Sequence, residues 1–133
     1  MRTLSLLALC LLGLLTACKE NDDIADYRDD IIGTYQLRKV GHIWNGPMNY
    51  QIDTTITTQV IKSGDASIVV LGQTLPLLTD LTFGHDASGS CAYYPVSAYR
   101  IFCGHFRNDS LFVSTSEGGL GIGQEYQYSG KKQ

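Results

Sequence analysis

Hydrophobic and polar positions divide the chain into three stretches of different character. Leu4 to Leu15 (LSLLALCLLGLL) is an apolar run of twelve residues behind Met1-Arg2-Thr3, and Lys19 to Asp30 is polar and acidic. From Gly33 onward the apolar residues recur every second position, the period of a strand buried on one face. Gln51 to Gln59 shows this most plainly: Ile52, Thr54, Ile56, Thr58 and then Val60 share one face, while Gln51, Asp53, Thr55, Thr57 and Gln59 share the other. Leu81, Phe83 and His85 alternate in the same way, as do Leu111 with Val113 and Tyr126 with Tyr128. Ser67 to Leu71 is a short continuous apolar run, which predicts burial on both faces, and Ser63-Gly64-Asp65 reads as the turn before it. Thr34 to Trp44 changes phase, with Tyr35 and Leu37 on one face and Val40, His42 and Trp44 on the other. A bulge near Arg38-Lys39 would reconcile the two halves. Ile24 to Ile31 fits one or two turns of helix, with Ile24, Tyr27 and Ile31 on one side.

Beyond that segment no ten-residue stretch has helical periodicity, and no repeat is visible. Tyr, Val, Ile and Thr abound, and Gly, Asn, Asp and Ser recur between the alternating runs as turn formers. The pattern predicts an all-β domain over residues 31–133: an antiparallel meander of about seven or eight strands, closed as a small barrel or folded as a sandwich. About 100 residues suffice for one core, with about 60–65% of the chain's surface buried.

The apolar run near the start is too short to cross a ~30 Å hydrocarbon core, which takes about 20 residues. A basic start, a short apolar centre and small residues ahead of a cut describe a secretory signal peptide over residues 1–17. Leu15-Thr16-Ala17-Cys18 resembles the bacterial lipobox, Leu-x-[Ala/Gly/Ser]-Cys. The resemblance implies that Cys18 is acylated, palmitate-like chains included, and becomes the first residue of the mature protein. Several acyl chains at ~0.8 kcal/mol per buried CH₂ hold a protein far more firmly than one. Residues 18–30 then form a lipidated, acidic tether. Lys19-Glu20-Asn21-Asp22-Asp23 resembles the export signal of Bacteroidetes-type lipoproteins, which implies display on the outer face of the outer membrane; a solvated, charge-extended linker is the alternative.

Charge is distributed to match. Six acids and two bases lie between Lys19 and Asp30, whereas Ile31 to Gln133 carries seven of each. A neutral body without a basic patch argues against a nucleic-acid partner and against tight binding to anionic headgroups. Membrane contact is expected through the lipid.

With Cys10 in the signal and Cys18 acylated, the body keeps Cys91 and Cys103, placed symmetrically about Ser97 in CAYYPVSAYRIFC. Pro95-Val96-Ser97-Ala98 would turn the chain between the arms Ala92-Tyr94 and Tyr99-Phe102, bringing the cysteines opposite each other within disulfide reach. An exported compartment permits oxidation, and two cysteines twelve apart lack the CxxC spacing of a zinc site. A disulfide is the expectation.

Candidate chemistry is sparse. His42, His85 and His105 are the only histidines; His85, Asp86 and His105 offer a donor set suited to a first-row metal, but their spacing does not demand one. Ser88, Ser90 and Ser110 are hydroxyls without a Gly-x-Ser-x-Gly elbow. Gly118-Gly119-Leu120-Gly121-Ile122-Gly123 would need a following helix to cradle phosphate. Gln124 to Tyr128 alternates as a strand instead, so the run is expected to be a hairpin with its glycines at positive φ. Asp109-Ser110-Leu111 resembles the O-glycosylation motif of Bacteroidetes-type proteins, which implies sugar on Ser110; a turn opening a strand is the other reading. No cofactor is implied.

Asp30-Ile31-Ile32-Gly33-Thr34-Tyr35 resembles the start of a lipocalin-like barrel, where a helical turn precedes a Gly-x-Trp strand, with Tyr35 in place of the tryptophan. Phe106 to Leu111, continuing through the glycine run to Lys132, resembles small Bacteroidetes-type β lipoproteins of uncharacterised function. The resemblance implies a non-enzymatic, lipid-anchored envelope protein that binds a small ligand or an envelope protein, with Tyr93, Tyr94 and Tyr99 suited to an interface. Ser88-Gly89-Ser90-Cys91-Ala92-Tyr93 is similar to the Ser-Gly loop of lysozyme inhibitors, which implies an inhibitor as the alternative. A histidine-dependent metalloenzyme is the third reading.

Overall fold

The computed structural model describes residues 26–85, 90–91, 100–119 and 121–133. Its strands are β1 (Gly33–Asn45), β2 (Met48–Ser63), β3 (Ser67–Val70), β4 (Gln73–Pro76), β5 (Thr82–Phe83), β6 (Arg100–Arg107), β7 (Ser110–Gly119) and β8 (Ile122–Lys132). They form one antiparallel sheet in the order β4-β3-β2-β1-β8-β7-β6-β5. The two ends of that order meet at the Leu77–Phe83 bridge and at the Leu78 N–H, which donates to the Thr82 carbonyl at 2.9 Å. The sheet therefore curls into a nearly closed, all-β barrel of the lipocalin-like kind, and the sandwich alternative falls away.

Two-residue turns set the registers. Gly46 has φ +60° and Pro47 has a fixed negative φ, the signs of a type II′ turn, whose twist suits a hairpin. From this turn β1 and β2 pair without interruption, from Asn45–Met48 to Gly33–Val60, and β1 pairs equally regularly with β8. The expected bulge at Arg38-Lys39 is absent. The phase change instead marks a strand packed on both faces: Tyr35 and Leu37 enter the core, while His42 and Trp44 stack on each other outside, ring centres 5.1 Å apart. β3 also departs from expectation, because Ile68 and Val70 are buried but Ser67 and Val69 are only half-buried. The strand β4 was not anticipated at all. Leu71 and Gly72 turn the chain into it with φ +48° and +76°, a left-handed pair usually signalled by Asn-Gly.

The core fills the closed end of the barrel. Tyr35, Leu37, Val60, Ile68, Val70, Phe83 and Leu111 are fully buried there, each contributing on the order of 1.5–3 kcal/mol by removal from water. Tyr35 occupies the position that the resemblance gives to tryptophan. Its ring meets Phe106 edge-on at 6.0 Å, and its hydroxyl donates to the Ile31 carbonyl at 2.8 Å. Burial pushes that phenol up to about 12, so it stays a donor across the neutral range.

One turn of chain caps this end. The Ile31 and Ile32 N–H groups both donate to the Arg28 carbonyl at 3.1 Å, Ile31 enters the core, and Tyr27 Oη donates to the Leu77 carbonyl at 2.9 Å. Asp26–Asp30, which the charge pattern assigns to the tether, thus pack on the barrel. Arg28 is the buried cation of the group: Nη1 donates to the carbonyls of Gly64 (2.8 Å) and Ser67 (3.1 Å), and Nη2 pairs with Asp26 at 2.7 Å. Lys62 of β2 bridges Asp26 at 3.0 Å and also contacts Asp29. Ile24 lies outside the described residues.

Hydrogen bonds from the Arg28 side chain, then from its backbone N–H, hold the Asp26 carboxyl far below the usual carboxylate range. A carboxyl whose pKa is depressed on folding stabilises the fold above its unfolded value, near ~4, and loses that contribution as pH falls below it. The parent chain is therefore expected to unfold at a lower temperature at pH 3 than at pH 7. Asp26→Asn should melt at a lower temperature than the parent chain at pH 7 and should lose less between pH 7 and pH 3. Circular dichroism melts at the two pH values check this, and equal acid sensitivity in both chains would contradict it.

Candidate functional site

Because the strand registers are regular, the inward face can be followed rung by rung. Just above Tyr35, the rung formed by Ile56, Leu37, Gly130, Leu111 and Phe106 is apolar. The next runs through Thr54, Lys39, Tyr128, Val113 and Gly104, and the one above through Ile52, Gly41, Tyr126, Thr115 and Phe102. The outermost holds Tyr50, Ile43, Gln124, Glu117 and Arg100. Inward positions thus change from hydrocarbon to charge as the barrel opens. A cleft of about 270 Å³ lies at that change, lined chiefly by Lys39, Leu71, Arg100, Glu117, Tyr126 and Tyr128.

Its polar groups are ordered by one another. The Glu117 carboxylate accepts from Arg100 Nη2 at 3.1 Å and from Gln124 Nε2 at 3.2 Å, and Tyr126 Oη donates to Gln124 Oε1 at 3.1 Å. Lys39 differs from Arg100. Among the described residues no carboxylate lies within ion-pairing distance of it; its ammonium sits over the Tyr126 ring, 3.7 Å from the centre, and 5.8 Å from that of Tyr128. Ring faces attract a cation by about 0.5–2 kcal/mol without neutralising it. One carboxylate against two cations leaves the cleft with net positive charge. Burial pushes the Tyr128 phenol up, so that ring is neutral beside the ammonium.

Gly41 makes the arrangement sterically feasible. A Cβ there would meet the Glu125 carbonyl and would lie 2.7 Å from Tyr126 Cδ1, so only glycine lets the Tyr126 ring lie across β1 beneath Lys39. Leu71 contributes from the opposite wall, where the two-residue turn between β3 and β4 that sets its φ of +48° brings it to the cleft.

The residues expected from sequence lie elsewhere. His42 stacks on Trp44 outside the barrel, and His105 stacks on Phe112 with ring centres 4.9 Å apart. His85 and His105 both border a second hollow of about 250 Å³, while Asp86 lies outside the described residues. The donor atoms of His85, Cys91 and Cys103 all fall within 4.8 Å of one another, but the two sulfurs are joined in the expected disulfide, with Cα atoms 5.4 Å apart. Cys91 bridges to His85 across the strands, and Cys103 lies on β6. The turn about Ser97, Tyr93, Tyr94 and Tyr99 fall outside the described residues, as do Ser88, Gly89 and Cys18. Ser110 opens β7, half-buried, after the Asn108-Asp109 turn. Lys39, Arg100, Glu117 and Gln124 were not singled out from sequence; the available signal was that Lys39 shares the parity of Tyr35 and Leu37.

The glycine run is a hairpin, but its glycines have a different reason from the one expected. Pairing continues through Gly118–Gly123 and Gly119–Ile122, and of the run's glycines Gly121 alone has positive φ, +82°. Gly118 and Gly123 are small because Trp44 lies across them: a Cβ on Gly123 would stand 2.6 Å from Trp44 Cε2, and one on Gly118 3.3 Å from Cζ2. Trp44 is the sole tryptophan. Gly123→Ala is therefore expected to lift the indole toward solvent and shift its fluorescence emission to longer wavelength, whereas Gly119→Ala, with open space at its Cβ, should leave the spectrum unchanged. Equal spectra for the two variants would contradict the packing.

Comparison with family models, with curated proteins and with solved structures finds no match to this chain, so its chemistry is argued from the cleft itself.

Proposed function

We propose that this chain is a non-enzymatic, lipid-anchored lipoprotein of the outer membrane, displayed at the cell surface, whose barrel binds a small anionic ligand at its open end. The carrying observation is Lys39: a cation inside the barrel, on two aromatic faces, with no carboxylate partner among the described residues. A ligand carboxylate would complete that charge, with Leu71 and Phe102 beside it for an apolar portion. About 270 Å³ is at the lower limit of ligand pockets, so the ligand has one ring or a short chain.

The membrane part of the proposal rests on Leu15-Thr16-Ala17-Cys18 and on Lys19-Glu20-Asn21-Asp22-Asp23. Seven residues separate Cys18 from Asp26, the first described residue. The eight steps from Cys18 to Asp26, at ~3.3–3.6 Å each, keep the barrel's capped end within about 29 Å of the lipid.

Two measurements test these readings. Benzoate and hexanoate, titrated into the protein and followed by NMR, should move the amide signals of Lys39, Tyr126 and Arg100, with benzamide much weaker. Lys39→Met should lower benzoate affinity about ten-fold, the effect of losing about 1.4 kcal/mol of charge-assisted bonding. Undisturbed cleft signals, or benzamide binding as well as benzoate, would refute the anion site. For the anchor, Cys18→Ala should move the protein from the membrane fraction to the soluble one and abolish incorporation of labelled palmitate. Protease added to intact cells should degrade the parent protein, and full protection would contradict surface display.

A further inference from the structure

β2 is the longest strand, yet most of one side of it has no neighbour among the described residues. β3 pairs only with Ile61 to Ser63, so among the described residues Met48 to Val60 is an open edge. In a two-residue hairpin the pair that closes the turn exchanges both its hydrogen bonds. Met48 closes this one with Asn45, and the register runs on unbroken. Even-numbered residues of β2 therefore turn their backbone groups toward β1, and Asn49, Gln51, Asp53, Thr55, Thr57 and Gln59 turn theirs outward.

Long edges are usually guarded by lysine, proline or a bulge. This one has none of them between Met48 and Val60. Its only charge is Asp53, neutralised by Arg38 at 2.6 Å on the neighbouring strand. Two exposed apolar side chains lie on this edge, Met48 at 50% and Tyr50 at 54% exposure.

We propose that this edge is the interface between two copies of the chain, joined as antiparallel β2 strands about a two-fold axis at Thr54. Thr54 is the midpoint of the open stretch, so this register uses all of it and ends where β3 begins. Ile52 then faces Ile56 of the second copy, Tyr50 faces Thr58, and Met48 faces Val60. On the outer face Asp53 meets Thr55, Gln51 meets Thr57 and Asn49 meets Gln59, with no like charges directly opposed. Every outward-turned backbone group finds a partner, about a dozen hydrogen bonds over roughly 40 Å. A register centred on Ile56 would instead drive the second copy's hairpin into β3. Self-complementarity of this kind is what an isologous interface requires.

Thr54 of each copy would lie in a non-hydrogen-bonded pair, with Cα atoms about 4.5 Å apart, within disulfide range. The full chain carrying Thr54→Cys, treated with copper-phenanthroline as oxidant and run without reductant, should give a covalent dimer as its main species. Thr57→Cys, which faces Gln51 of the second copy, should give no more dimer than the parent chain. The unaltered chain should sediment at twice the mass of one chain. Thr55→Pro should sediment at half that, because it removes an outward N–H and leaves the β1 ladder intact; its melting temperature shows whether the barrel persists. Cross-linking at Thr57→Cys equal to that at Thr54→Cys, a monomeric parent at micromolar concentration, or a folded Thr55→Pro that remains dimeric would each overturn the proposal.

Discussion

β3, β4 and β5 supply two to four residues each, against ten to sixteen in β1, β2, β7 and β8. Hydrogen-bonded closure of the barrel is limited by its shortest members, so it extends only as far as the Leu77–Phe83 bridge. Below that level Tyr35, Leu37, Val60, Phe106 and Leu111 face one another and form the apolar core. Above it the long strands continue past the closed ladder, and the cleft opens there between β1, β6, β7 and β8 and the Leu71 turn. The change from Leu37 to Lys39 on one face of one strand follows from this. So does the open side of β2, which extends past the strand that should cover it.

That same mismatch makes the capped end carry the stability. Tyr35, Ile31 and Phe106 fill it, and the turn at Asp26–Asp30 lies over it, fixed by Arg28 to two carbonyls of the β2–β3 connection. A buried guanidinium is tolerable only with its donors satisfied and its charge opposed; Asp26 opposes it, and the Gly64 and Ser67 carbonyls accept from Nη1. The disulfide serves a different place. It ties Cys91 to β6 near the short strand β5, where the ladder itself provides only two pairs.

Much of this was legible in the sequence, because alternation is a direct consequence of one-sided burial. β2, β7 and β8 follow the expected alternation, and the pairing of Cys91 with Cys103 follows from there being no other cysteine in the body. The failures have particular causes. β4 was missed because Leu71-Gly72 bends through left-handed conformations that leucine rarely adopts. The alternation predicts a bulge in β1 only if Val40, His42 and Trp44 need the core, whereas His42 and Trp44 pack against each other outside it. The glycines at 118 and 123 read as turn residues because their real cause, Trp44, is more than seventy residues away in sequence. The cleft escaped notice for the same reason: Lys39, Arg100, Glu117 and Tyr126 come from four strands, and no local spacing joins them.

Charge in the cleft also has to be weighed against its cost. Lys39 and Arg100 on one inward surface repel, and Glu117 relieves only the second of them directly. What keeps Lys39 in place is the Tyr126 ring face, which is itself available only because residue 41 lacks a side chain. A larger residue at 41 would turn the ring away and release the ammonium to solvent, where its charge is screened. The absence of one Cβ on β1 therefore holds a cation inside the open end of the barrel, and Gly41 shapes the cleft although it offers no functional group.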